Sequence, residues 1–268
     1  MRDETIDVPT VVAIAVLAYA SANMVHEGLG HGGAALLLGG RPTMLNAIFF
    51  NYDEATVSET GQRLISAAGS VVNVLVGLPL LALLPRVRSI LWRYFLWLFA
   101  AVNLLTAFGY LLFSGIGGIG DWFRVIHDFA PAALWRGVLI VAGAVLYFVV
   151  APRLLAPPLD PWLGRVAGVR ERRARTLSLV PYVAGGITLC LAGFLNPLGW
   201  KIVLISAVAA SFGGTSLLAW YPPIPRPPAS TTPEPPLGIP RSPAWIAAAA
   251  VALLVFVFVF GRGIGSLQ

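Results

Sequence analysis

Long apolar runs broken by short polar, glycine-rich or proline-rich stretches make up this chain, and they predict helices crossing a membrane. The runs are Pro9–Gly39, Arg63–Leu84, Leu91–Phe113, Ala132–Val150, Leu177–Phe194, Ile202–Trp220 and Trp245–Phe260. Each is near or above the roughly 20 residues that span a hydrocarbon core as an α-helix. The first is longer than one crossing needs, so it tilts or bends near its glycines. Only Asn196-Pro197-Leu198-Gly199 separates the fifth from the sixth, which are two crossings or a re-entrant pair. One stretch breaks the pattern differently. Arg41-Pro42 ends the first helix, and Thr43 to Tyr52 mixes β-formers and aromatics without helical period. An extended segment or small hairpin is expected there, the alternative being a plain solvent loop. The fold class is therefore an all-α polytopic membrane protein of about seven transmembrane helices, with a short extended segment after the first.

The connectors set the orientation. Arg86, Arg88 and Arg93 form a basic turn, and Ala151 to Thr176 reads as a loop holding Pro157-Pro158, Pro161 and the cluster Arg170 to Arg175. Tyr221 to Pro243 is dense in proline and carries no catalytic content. If all seven runs cross, these basic residues, with Arg2, Arg226 and Arg241, collect on one side. The positive-inside rule then puts the amino terminus in the cytoplasm, in a plasma (inner) membrane.

Composition agrees and removes other classes. The 268 residues are 57% hydrophobic and 11% charged, with mean hydropathy +0.81, which leaves no room for a separate soluble domain. A net charge of +6 sits mainly at the ends of apolar runs, where lipid headgroups account for it and nucleic acid is not needed. The single Cys190 excludes an intrachain disulfide. No cleavage site follows the first run, so it is expected to remain as an anchor.

Chemistry concentrates in Met24-Val25-His26-Glu27-Gly28-Leu29-Gly30-His31, which holds two of the three histidines. An ionisable group inside a bilayer costs about 2.5 to 3.5 kcal/mol on insertion scales, so it faces a partner, a cavity or a metal. The spacing is His-Glu-x-x-x-His, one residue longer than the His-Glu-x-x-His of zinc peptidases. On a regular α-helix, imidazoles five apart diverge. A π-type turn brings them to one side, and Gly28, Gly30, Gly32 and Gly33 ease that distortion. Zinc is then geometrically open, with Glu27 as base. The other reading has His26 and His31 hydrogen-bonded to neighbouring helices, with the glycines serving only packing. Further along, Ala67 to Asn73 offers small residues for close helix approach, and Asn73 and Asn103 can hydrogen-bond between helices. Ser114 to Trp122 is rich in glycine and irregular, and Asp121 emerges from it with the chemistry of a helix N-cap, followed by His127.

Taken in order, His26-Glu27…His31, Ala68-Gly69-Ser70-Val71-Val72-Asn73, then Asn103 and Gly120-Asp121-Trp122 resemble the site-2 protease family of intramembrane zinc metalloproteases. The resemblance covers residues 9 to 130. It implies that His26, His31 and Asp121 bind Zn²⁺, that Glu27 activates water, and that the substrate is a membrane-anchored protein whose helix locally unwinds. The extra residue between the histidines, Ser70 in place of proline, and Trp122 in place of glycine are departures from the family pattern. The expected organisation is a protease-like core over 1–130 followed by additional membrane helices over 131–268. The rival expectation is an inactive pseudoprotease or metal-binding membrane protein acting through partner binding. A transporter ranks behind both for want of an inverted repeat.

Overall fold

A computed structural model describes residues 5–220 and 236–265. Arg2, Arg226 and the proline-rich stretch over 221–235 lie outside these, and so does any structural account of them. The protein is mostly helical, with seven helices long and apolar enough to cross a membrane: Val8–Leu37, Glu59–Arg86, Ile90–Gly117, Ala132–Leu163, Gly168–Gly193, Trp200–Trp220 and Pro243–Phe260. It is an integral membrane protein. Helices satisfy every backbone group within one segment, which lipid demands.

Local chemistry fixes where these helices begin. Asp7 Oδ1 accepts from the backbone N–H of Thr10 at 2.9 Å, and Pro9 occupies the first turn, where a missing N–H costs nothing. Ser58 caps the second span by accepting from Gly61 N–H at 3.2 Å. The third span is the central post: 67% of its apolar window is buried, against 11% for the seventh, which leaves most of its surface to lipid. Trp97, Tyr94 and Leu98 of the third span pack with Tyr19 and Ile14 of the first in one continuous core. That core also takes in Leu155, Leu177 and Phe256 from the later spans.

Two spans extend beyond the apolar runs. The fourth continues through Pro157, Pro158 and Pro161 to Leu163, where a connector was expected. The Arg170 cluster is likewise helical, at the start of the fifth span. Arg170 and Arg173 are buried and cap the end of the fourth span, donating to the carbonyls of Gly164 and Trp162 at 3.0 Å each. They are structural residues as well as topological ones. The fifth and sixth spans are separate helices joined by a turn over 194–199.

The extended segment is a small sheet. β2 (Arg41–Leu45) and β3 (Phe50–Asp53) form an antiparallel hairpin whose register slips at Thr43, and β5 (Ile264–Gly265) pairs with the other side of β2. β3 is thus an edge. A two-residue parallel pair joins β1 (Thr5–Ile6) to β4 (Gly238–Ile239). The hairpin is anchored to the bundle through its turn. Asn46 Nδ2 donates to Gly261 O at 2.7 Å, Ala47 N–H to Phe260 O at 2.8 Å, and Asn23 Nδ2 of the first span donates to Ala47 O.

Candidate metal centre

Within the first span the α-helix widens over Val25–Gly32 into a π-helix, whose i to i+5 pairing is seen where Gly33 N–H meets Gly28 O. The wider turn returns His31 to the face of His26, and this absorbs the extra residue in the motif. Packing shows why glycine is needed opposite. A Cβ on Gly69 of the second span would fall 2.6 Å from His26 Cε1 and 2.7 Å from both Nε2 atoms, and one on Gly30 would fall 2.5 Å from Gly69 Cα. Two helices meet here backbone to backbone, and the imidazoles fill the space that a side chain would take.

The third donor arrives from 95 residues away. The third span ends at Gly118 (φ +62°), and Gly120 (φ +83°) turns the chain into the short helix Asp121–Ile126. These left-handed positions suit glycine. Gly120 holds the cap position, so Asp121 is not an N-cap; its side chain reaches back to the histidines. The short helix is fastened from outside. Arg124 donates to Glu54 of the hairpin and to Gln62 of the second span, both at 2.8 Å, and Arg63 pairs with Asp128 at 3.0 Å. His127 faces away, its Nδ1–H donating to Arg124 O at 2.8 Å and Nε2 lying 3.0 Å from Asp128. It does not join the cluster.

His26 Nε2, His31 Nε2 and Asp121 Oδ2 lie 3.2, 3.2 and 3.3 Å from one another. The edge of a tetrahedron is about 1.63 times its centre-to-corner distance, so metal bonds of about 2.0 to 2.1 Å require ligand separations of about 3.3 to 3.4 Å. The triangle has the size of one tetrahedral face. His31 Nδ1 is 2.7 Å from the Ile65 carbonyl, which only accepts, so the proton of a neutral ring sits on Nδ1 and Nε2 presents its lone pair to the cluster. Burial pushes the Asp121 carboxyl up, but the charge and hydrogen bonds of His31 and His26 outweigh it and hold the group well below the ordinary carboxylate range. The donor set is two imidazoles and a carboxylate, mostly buried, and it fits a divalent cation that takes nitrogen and oxygen ligands. Each ring is bonded outward to a neighbouring helix through Nδ1, as one reading of the sequence expects, and turns Nε2 inward.

Glu27, 7% exposed, does not join the triangle but lines a cavity of about 210 Å³ together with His31, Asp121, Phe50, Tyr110 and Ser206. The backbone of Phe50 lies against its carboxylate. Asn103 lies elsewhere, donating to Phe99 O at 2.7 Å within its own helix. Sequence reasoning missed Gly69 as the floor of the centre, although the small-residue stretch flagged a close approach. It also missed Arg124 and Glu54, whose pairing no local pattern announces. Comparison with known proteins finds no matching family, no similar characterised sequence and no similar solved structure.

Proposed function

We propose that this chain is an intramembrane zinc metallopeptidase that hydrolyses peptide bonds of membrane-anchored proteins. The observation that supports this most is a cluster of three converging metal donors, two of which, His31 and Asp121, line one cavity with a buried carboxylate that is not a member of the cluster. Zn²⁺ held by His26, His31 and Asp121 supplies Lewis-acid polarisation and lowers the pKa of water. Glu27 takes the proton of the attacking water and returns it to the departing amine nitrogen as the C–N bond breaks. Extended substrate suits the site, because β3 borders the cavity as an edge strand and a helical substrate hides its carbonyls. The π-turn removes the spacing objection that favoured an inactive relative. By the arginine distribution, we place the amino terminus in the cytoplasm and the chain in a plasma (inner) membrane, with lipid as its other partner.

Glu27→Gln separates these roles. In proteoliposomes carrying a membrane-anchored reporter with an unwound segment, the variant should keep the zinc content of the parent and lose about 10²- to 10⁴-fold in cleavage rate. Loss of zinc along with cleavage would show that Glu27 is a ligand and overturn its assignment. A parent that holds zinc and cleaves no reporter is a metal-binding membrane protein instead.

A further inference from the structure

Asn73 lies in the second span four residues after Gly69, so the two share one helix face. Gly69 makes room for the Nε2 side of the His26 ring, and Asn73 meets its Nδ1 side, with Asn73 Nδ2 3.3 Å from His26 Nδ1. Asn73 is fully buried, and its Oδ1 has no hydrogen-bond partner among the described residues. Leaving a buried acceptor unpaired is unfavourable.

The protons decide what this carboxamide does. With its nitrogen toward the ring, Asn73 donates to Nδ1, which forces the proton of a neutral His26 onto Nε2, where it blocks metal binding. With its oxygen toward the ring, the orphaned Oδ1 accepts from Nδ1–H and the Nε2 lone pair is free, as His31 already arranges through the Ile65 carbonyl. The two ends of a carboxamide have the same shape, so rotation about χ2 interchanges them without moving the helix. We infer that Asn73 is a positioning residue for metal binding: its amide oxygen holds His26 in the Nδ1–H tautomer and thereby makes Nε2 a ligand. This rests on the metal reading of the site.

The test uses the full-length protein and Zn²⁺ alone, with affinity measured by chelator competition. Asn73→Leu should bind Zn²⁺ about 10- to 100-fold more weakly, the usual loss when a metal-ligating histidine is deprived of its outer partner. Asn73→Asp, which keeps an acceptor, should stay within about threefold of the parent on the same measure. Equal affinity in Asn73→Leu and parent sinks the role of Asn73 and leaves the metal centre standing. A parent that takes up no Zn²⁺ removes the metal reading and this inference together. Should the leucine variant fail to fold, ¹⁵N-histidine NMR of the zinc-loaded parent decides: a proton on His26 Nδ1 that is slow to exchange supports the inference, and one on Nε2 overturns it.

Discussion

Arg170 gives its guanidinium to Asp160 at 2.7 Å and to the Gly164 carbonyl at 3.0 Å, so a buried cation meets an anion and an acceptor. At His26 the arrangement differs. Two Nε2 atoms and a carboxylate oxygen converge within 3.3 Å, and while the rings are neutral only His26 Nε2 can carry a proton between them. Both clusters are polar and inside the protein, but the first joins residues about a dozen or fewer positions apart and the second joins residues 95 apart. The first pairs opposite charges and holds a helix junction, with only Arg170 Nε left without a partner among the described residues. The second brings two imidazole nitrogens and a carboxylate oxygen together, a set that shared protons or one cation can satisfy. What distinguishes the second is a converging set of potential ligands rather than burial or charge.

The sharpest way to break that contrast is Gly69→Ala. Its methyl group would overlap both imidazoles, so zinc uptake by the purified protein should fall below detection. Alanine favours a helix over glycine by about 1 kcal/mol, so a thermal melt should show no comparable collapse of the fold. Retained zinc would mean that the rings do not rest on Gly69. Arg170→Ala probes the other cluster and should cost about 2 to 3 kcal/mol of stability while zinc affinity holds. A matching drop in affinity would show that the two clusters are coupled. Smaller still is Arg124→Ala. Its pairs are about half exposed, so stability should change by no more than about 1 kcal/mol. Zinc affinity should weaken about two- to fivefold as Asp121 loses its tether, an effect that high salt reproduces in the parent. Asp7→Asn comes last. The Thr10 side-chain hydrogen bond, with its backbone partner, holds the Asp7 carboxyl below its ordinary 3.8. That stabilisation is complete above 3.8 and disappears as pH falls through the lowered value, so parent and variant should differ slightly at neutral pH and melt together in acid.

Much of this was legible in the chain. Apolar runs gave seven helices because lipid leaves a spanning segment few alternatives. Arg41-Pro42 and the β-formers after it marked the hairpin, and the five-residue histidine spacing raised the π-turn as one of two readings, which is the one found. Other features were out of reach for definite reasons. Pro157, Pro158 and Pro161 read as a break, yet they lie near a helix end whose last carbonyls Arg170 and Arg173 collect. Those arginines have the same local signature as lipid-facing ones, and only the fold reveals their partners. The pairing of Arg124 with Glu54, like that of Asn73 with His26, crosses between elements, where residue periodicity carries no information.

The distance along the chain from His26 to Asp121 has a consequence for how the protein is made. A ribosome reaches the first two donors while the first helix is entering the bilayer, and the last only after two further helices have been synthesised. Until then the nascent chain carries His26, Glu27 and His31, and from the second helix onward Gly69, without the Asp121 carboxylate. The full donor set therefore exists only once the third span and the turn after it have been made, with four spans still to follow.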